Sequence, residues 1–360
     1  MDNSIFLSIV YLLNCFLHNK KADLNQVNNF DIETVKKICR LHKISAIVAC
    51  VLEDFEKDDY WIKQKNNAIR KTILYENERA ELFDFLEKKK IWYLPLKGII
   101  ISKYYPQYGV REFSDNDILF DSKYQEIVRN YFIEHGYEVK SFNKSYHDRY
   151  TKSPVFCFEM HTSLFNMYSG RVQNKYYINI MDILIKHDGK YELSFTDNDL
   201  YVYFMAHAVK HYLESGTGLR TLVDTYILIN HLSLDWDYVN GELEKLNILG
   251  IASEFKNLVV SLFDEIPLTY DQTVVFNKIC SMGAYGNLEN KVDNDLSTTK
   301  KGKLLLKRRF PPLKTLEYSH PIVFKYPILL PAFYIKRLIK GFTKKEKETT
   351  KEIKYIIKHK

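Results

Sequence analysis

The feature that most constrains the fold is a change of pattern at Ile91. From Ala68 to Lys90 the chain is rich in Glu, Lys, Arg and Leu and has neither Pro nor Gly, which predicts a long helix. Ile91-Trp92-Tyr93-Leu94-Pro95-Leu96 is then a short apolar run ending at Lys97-Gly98, the pattern of a strand entering a tight turn. Ile99 to Tyr105 fits a short helix stopped by Pro106 and Gly109. Phe113 to Phe120 reads as a second strand, Tyr124 to His135 as a helix stopped at Gly136, and Val155 to His161 as a third strand.

Both flanks read as helical. On the N-terminal side, Thr34 to Leu52 places Val35, Ile38, Leu41, Ile44 and Val48 near helical spacing. Ile5 to Leu17 is apolar but follows Asp2, with no basic segment and no small-residue cleavage site, so it is expected to be a buried helix. It is also shorter than the roughly 20 residues of a membrane-spanning helix. On the C-terminal side, Leu200 to Leu213, Arg220 to Leu232 and Tyr238 to Leu246 are expected helices. The expected organisation is therefore an N-terminal helical region (1–88), a core (89–195), a helical domain (196–283), a polar loop (284–303) and a basic C-terminal segment (304–360). Pro321 to Phe342 is apolar, but Lys325, Pro327, Pro331, Lys336 and Arg337 interrupt it and argue against a span. The chain shows no internal repeat.

With 360 residues and 46% hydrophobic content, the chain can build two or three packed domains. A net charge of +7 permits an anionic partner (nucleotide, nucleic acid or lipid) without choosing among them. Cys15, Cys39, Cys50, Cys157 and Cys280 are odd in number and lack CxxC spacing, so reduced thiols in a cytoplasmic setting are expected.

Asp115-Asn116-Asp117 is the strongest chemical signal. On a strand, residues i and i+2 share a face, so two carboxylates converge where a cation would relieve their repulsion. Hard oxygen ligands suit Mg²⁺ or Mn²⁺. Asp-x-Asp recurs at Asp197/Asp199, Asp235/Asp237 and Asp293/Asp295. The first of these precedes a helix and suits an N-cap, the second also precedes a helix, and the third lies in the polar loop. Only Asp115/Asp117 runs directly into an apolar strand, Ile118-Leu119-Phe120. Glu159, between Phe158 and Met160, supplies a third carboxylate if the third strand pairs beside the second, and His161 shares its face. The alternative is a solvent-facing strand edge whose acids only keep it soluble.

Lys97-Gly98 would complete such a site, the turn offering backbone N–H groups and a positive helix end to phosphate; otherwise it is an ordinary strand-to-helix turn. Arg111 is either a phosphate clamp or a partner of Glu112 or the aspartates. His207 and His211, four apart on a helix, share a face. Zinc is poorly served because Ala208 breaks the HExxH pattern; contact with nucleotide or acceptor phosphate, or packing against Tyr203 or Tyr212, are the other readings. Arg220 and Asp224 are spaced as an i,i+4 pair. There is no G-x-S-x-G, Walker A or G-x-G-x-x-G motif, and no Cys with a His partner. The Lys-rich tail reads either as a solvated helix or as a segment lying on anionic lipid. For the latter, Phe333, Ile335, Leu338, Ile339 and Phe342 stand beside Lys336, Arg337 and Lys340.

Leu96-Lys97-Gly98, Tyr104-Tyr105-Pro106, Arg111 and Ser114-Asp115-Asn116-Asp117-Ile118-Leu119 together resemble the uncharacterised bacterial nucleotidyltransferase family of the polymerase-beta-like superfamily. Glu159-Met160-His161-Thr162-Ser163-Leu164-Phe165 resembles its third-carboxylate strand. His207, His211, Arg220, Asp224 and Leu234-Asp235-Trp236 resemble its downstream helical region, and the resemblance runs from about residue 40 to 340. It implies an α+β fold, a small mixed sheet flanked by N- and C-terminal helical regions. It implies transfer of a nucleoside monophosphate from an NTP such as ATP to a hydroxyl acceptor, with Asp115, Asp117 and Glu159 as Mg²⁺ or Mn²⁺ ligands and catalytic groups. Lys97, Gly98, Ser102, Arg111 and Ser114 are then expected at the nucleotide, and His161, His207, His211 and Arg220 at the substrate. Ile99 stands where many superfamily members have Ser after the Gly, which shifts phosphate contact to Lys97, the backbone or Ser102. The resemblance hints at surface-polysaccharide metabolism, with the protein cytoplasmic or peripheral at the inner face of the membrane. Two alternatives are a non-catalytic nucleotide-binding or membrane-peripheral module that retains the fold, and an RNA-modifying nucleotidyltransferase.

Overall fold

The computed structural model describes residues 3–53, 59–166, 171–284, 286, 291–292, 295–296, 299–316, 320–339 and 344–358. At its centre is a five-stranded mixed sheet formed by β1 (Tyr93–Pro95), β2 (Asn116–Phe120), β3 (Glu138–Ser141), β4 (His147–Lys152) and β5 (Phe156–His161), in the order β1-β2-β5-β4-β3. Only β2 and β5 run parallel; β1 pairs with β2, β5 with β4, and β4 with β3 antiparallel. A small antiparallel pair, β6 (Ile185–Lys186) with β7 (Leu193–Ser194), lies beyond the sheet in sequence.

The alternation of side chains along β2 and β5 gives the sheet two different faces. Ile118, Phe120, Phe158 and Met160 pack with Leu82 and Leu86 of the Asp59–Lys88 helix and with Val128 and Phe132 of the Gln125–Glu134 helix. The opposite face carries Asp117, Leu119, Glu159 and His161, and there Leu119 joins the larger core shared with the flanking helices. Asn116 shows the division within one motif. Its side chain is buried on the helix-packed face, where its Oδ1 accepts from Arg79 Nη1 at 2.8 Å, so the acids on either side of it turn the other way. Tyr75 fixes the start of β5: its hydroxyl donates to Val155 O (2.7 Å) and accepts from Cys157 N (2.8 Å).

The helical flanks agree with the α+β reading, with differences of detail. The Thr34–Leu52 stretch is two helices, Ile32–His42 and Ser45–Leu52, because Lys43 takes a left-handed conformation (φ 57°) and Ile44 N closes back on Cys39 O. β3 and β4 were not expected. Their sequences, EVKS and HDRYTK, are too polar to announce a strand, yet Val139 and Tyr150 turn inward from them. Helices Leu249–Phe263 and Tyr270–Cys280 fill the part of the helical domain that sequence patterning left unassigned. Thr196, not an aspartate, caps the Asp197–Glu214 helix, whereas Asp235 does cap Trp236–Lys245. Within the expected polar loop, Val292 is buried against Leu304 and Ile356. Asp293, Lys340 and Phe342 lie outside the described residues. Among the described residues no helix is long and apolar enough to cross a membrane.

Candidate active site

The acid-bearing face of the sheet forms one wall of a cleft of about 280 Å³, near the lower end of ordinary ligand pockets. Asp115, Asp117, Glu159, Lys97 and Gly98 line it from the sheet side. Tyr203, His207, His211 and Arg220 line it from the Asp197–Glu214 and Leu219–His231 helices, and Ser114 and Arg111 also border it. Asp117 and Glu159 are direct neighbours in the parallel register of β2 and β5, while Asp115 sits just before β2 with its side chain in the same cleft.

The acids perturb one another. Burial, then Asp117, raises the Asp115 carboxyl above its ordinary value. Glu159 is pushed up to about 7 by burial, then by Asp117 and Asp115. Asp117 behaves oppositely: burial acts to raise it, but Lys97 and His161 outweigh that and hold it well below the usual range. Lys97 Nζ donates to Asp117 Oδ1 at 2.6 Å, and His161 Nε2 lies 2.8 Å from the same oxygen. Both contacts fall on Oδ1, so Oδ2 is the oxygen on offer to a cation. Among the described residues, the group whose ligand atoms all lie within 4.8 Å of one another is His147, Glu159 and His161, not the three acids.

The remaining site residues are placed as follows. Lys97 occupies the turn with φ 47° and ψ −118°, a strained backbone for a non-glycine residue, and its ammonium is engaged by Asp117. Gly98 has a different reason to be glycine: a Cβ there would sit 2.5 Å from Arg111 Nη1. The helix behind the turn, Gly98–Ile101, is only four residues long, too short for a strong end dipole. Ser102 is not among the cleft-lining residues, and its Oγ donates to Ile99 O at 3.2 Å. Arg111 is not a free clamp and pairs with neither Glu112 nor the aspartates. Its Nε and Nη2 donate to Asp224 Oδ1 (2.8 Å) and Oδ2 (2.7 Å), and Tyr105 Oη donates to the same carboxylate (2.7 Å). Asp224 thus pairs across 113 residues rather than with Arg220, which instead donates to Glu112 O. His207 and His211 hydrogen-bond each other through Nε2 at 3.0 Å. Burial, then Lys97, lowers both, His211 to about 4, so the pair is neutral near pH 7. Sequence patterning missed His147 and read Tyr203 only as a packing partner of the histidines, whereas it lines the cleft. Neither sits in a motif, and only the cross-strand register of β4 with β5 brings His147 to the acids.

A family model described as an uncharacterised nucleotidyltransferase matches residues 28–264. The chain belongs to that family. The matched span takes in β1 to β5, the three acids and the helices opposite, so this nucleotidyltransferase carries all but one of the cleft-lining residues, Ala284, within the family region. Neither curated proteins nor solved structures give a match.

Proposed function

We propose that this nucleotidyltransferase moves a nucleoside monophosphate from an NTP, ATP among them, to a hydroxyl acceptor, using Mg²⁺ or Mn²⁺ held by Asp115, Asp117 and Glu159. The observation that carries this reading is the parallel pairing of β2 with β5, which sets Asp117 beside Glu159 on the cleft face while Asp115 lines the same cleft. The donor set fits a hard divalent ion: all three ligands are carboxylates, and Asp115 and Glu159 are both raised by burial and then by the charge of Asp117. When bound, such an ion supplies Lewis-acid charge to the phosphates and the acceptor oxygen.

The chain's own groups divide the remaining work. Lys97 is the ammonium nearest the acids and would meet triphosphate oxygens. Gly98, having no side chain, lets the Arg111 guanidinium pack against the turn at the cleft wall. Arg220 adds positive charge from the opposite wall, and neutral His207 and His211 can donate or accept there. The Tyr203 hydroxyl is buried without a hydrogen-bond partner and is available to a ligand. In the transfer, the acceptor oxygen bonds to the α-phosphorus as that phosphorus loses its bridging oxygen. Pyrophosphate leaves, and the acceptor proton passes to Glu159, which stands beside Asp117 on the cleft face. The test is incubation with α- and γ-labelled NTPs in cell extract. The α-label should enter a product and the γ-label should leave as pyrophosphate; γ-label in the product would point to phosphoryl transfer instead and sink this reading.

A specific observation also favours a peripheral position at an anionic membrane. Ile322 (67% exposed), Ile328 (87%) and Ile335 (58%) stand in solvent along a stretch of chain that also exposes Lys325 and Lys336, so apolar and cationic side chains are interspersed there.

A further inference from the structure

We propose that His147, Glu159 and His161 form a second metal site, one for a first-row transition ion (Mn²⁺, Fe²⁺, Co²⁺ or Zn²⁺) in preference to Mg²⁺. β4 and β5 pair antiparallel with His147 directly opposite His161, and Glu159 lies two residues before His161 on the same face. Each of the three offers a nitrogen or oxygen within 4.8 Å of the other two, and His147 Nε2 is 3.8 Å from Glu159 Oε2. Zn²⁺ binds imidazole nitrogen at about 2.0–2.1 Å, so the side chains would draw inward to close the set around such an ion.

Two features distinguish this group from a chance ion pair. The Nδ1 atom of His147 is buried and has no hydrogen-bond partner, while its Nε2 faces Glu159, so the ring is held toward the carboxylate without a protein acceptor behind it. His161 Nε2 already bonds the Asp117 carboxylate, the arrangement by which a carboxylate orients a metal-bound imidazole. Two imidazoles and one carboxylate suit borderline divalent ions, whereas Mg²⁺ prefers an all-oxygen shell. Three protein ligands leave positions for water or substrate, as in catalytic rather than structural sites. Sharing Glu159 places this ion beside the one proposed at the three acids. The inference rests on the nucleotidyl-transfer reading for that role, but not for the site's existence.

The experiment uses the full chain, stripped by chelator and titrated with Co²⁺ in excess Mg²⁺, reading the visible d–d absorption. One Co²⁺ per chain is expected, with a spectrum unlike that of the aquo ion. Binding should weaken at least 10-fold in His147→Gln and persist in Asp115→Asn. His147→Cys guards against a misfolded Gln variant, since it should keep the ion and add a thiolate-to-cobalt charge-transfer band. Competition with Zn²⁺, Mn²⁺ and Fe²⁺ then ranks the ions. Wild-type affinity in His147→Gln, or only the aquo spectrum in the wild type, overturns the site. The transfer reading fails separately, if Asp115→Asn leaves Mg²⁺-dependent NTP binding intact, and that result leaves the cobalt outcome standing.

Discussion

Replacing Asp224 by Ala would strip the counter-charge from a guanidinium that has little access to water. Arg111 and Asp224 have side-chain exposures of only 6% and 4%, and they meet through two hydrogen bonds of 2.8 and 2.7 Å. Burial alone would lower the Arg111 pKa, but the Asp224 carboxylate reverses this and raises it, so the arginine stays charged. Removing one partner of such a pair costs about 3–5 kcal/mol because the other is left buried and uncompensated. The Tyr105 hydroxyl loses its acceptor in the same step. Urea unfolding followed by fluorescence of Trp61, Trp92 and Trp236 should show the loss as a lower midpoint at unchanged slope. Replacing both partners by apolar residues, Arg111→Met with Asp224→Leu, should recover most of it, since the well-packed apolar substitute avoids the desolvation cost. A loss below about 1 kcal/mol in Asp224→Ala, or a double variant no better than the single, would refute the reasoning.

Stability should also fall in mild acid through His42, which is fully buried and accepts from Leu219 N at 3.1 Å. Burial lowers its pKa from 6.5 to about 4, so as pH drops from 6.5 towards 4 the unfolded chain takes up a proton that the folded chain refuses. The full window is worth about 3 kcal/mol, and His42→Gln should flatten the stability-versus-pH slope relative to wild type; an unchanged slope would rule out this source. On vesicles containing anionic lipid, the chain should float with the liposomes, and Ile328→Asp with Ile322→Asp should abolish flotation. Equal flotation of the double variant would remove the membrane proposal.

How much was legible in the sequence depended on the range of the contacts. Asp115-Asn116-Asp117 could be read because the alternation of a strand is local, and Asn116 bonding Arg79 behind the sheet is the same rule seen from the other face. Glu159 was reachable because one strand pairing decides its neighbour. Arg111 was legible as a charge in need of a partner, but not the identity of the partner, since Asp224 is 113 residues away and also stands at helical spacing from Arg220. His147 was invisible for a similar reason. It lies on a polar strand without a hydrophobic signature, and only the register of β4 against β5 gives it meaning. Lys97 illustrates a different limit: its nearness to the acids followed from the turn, but its direct bond to Asp117 is a matter of rotamer and burial.

The family membership and the register of two strands carry the nucleotidyl-transfer proposal, and Lys97 is bonded to Asp117 within the cleft. Binding can be examined without knowing the acceptor. The most direct measurement is a Mn²⁺ titration by electron paramagnetic resonance, with and without a non-hydrolysable NTP. Wild-type protein is expected to take up Mn²⁺ more tightly when the NTP is present. Asp115→Asn and Asp117→Asn should each weaken that NTP-dependent uptake at least 10-fold, and Asp235→Asn, a helix cap remote from the cleft, should not. NTP-dependent Mn²⁺ uptake that survives both cleft substitutions, or NTP binding indifferent to the metal, would contradict the account.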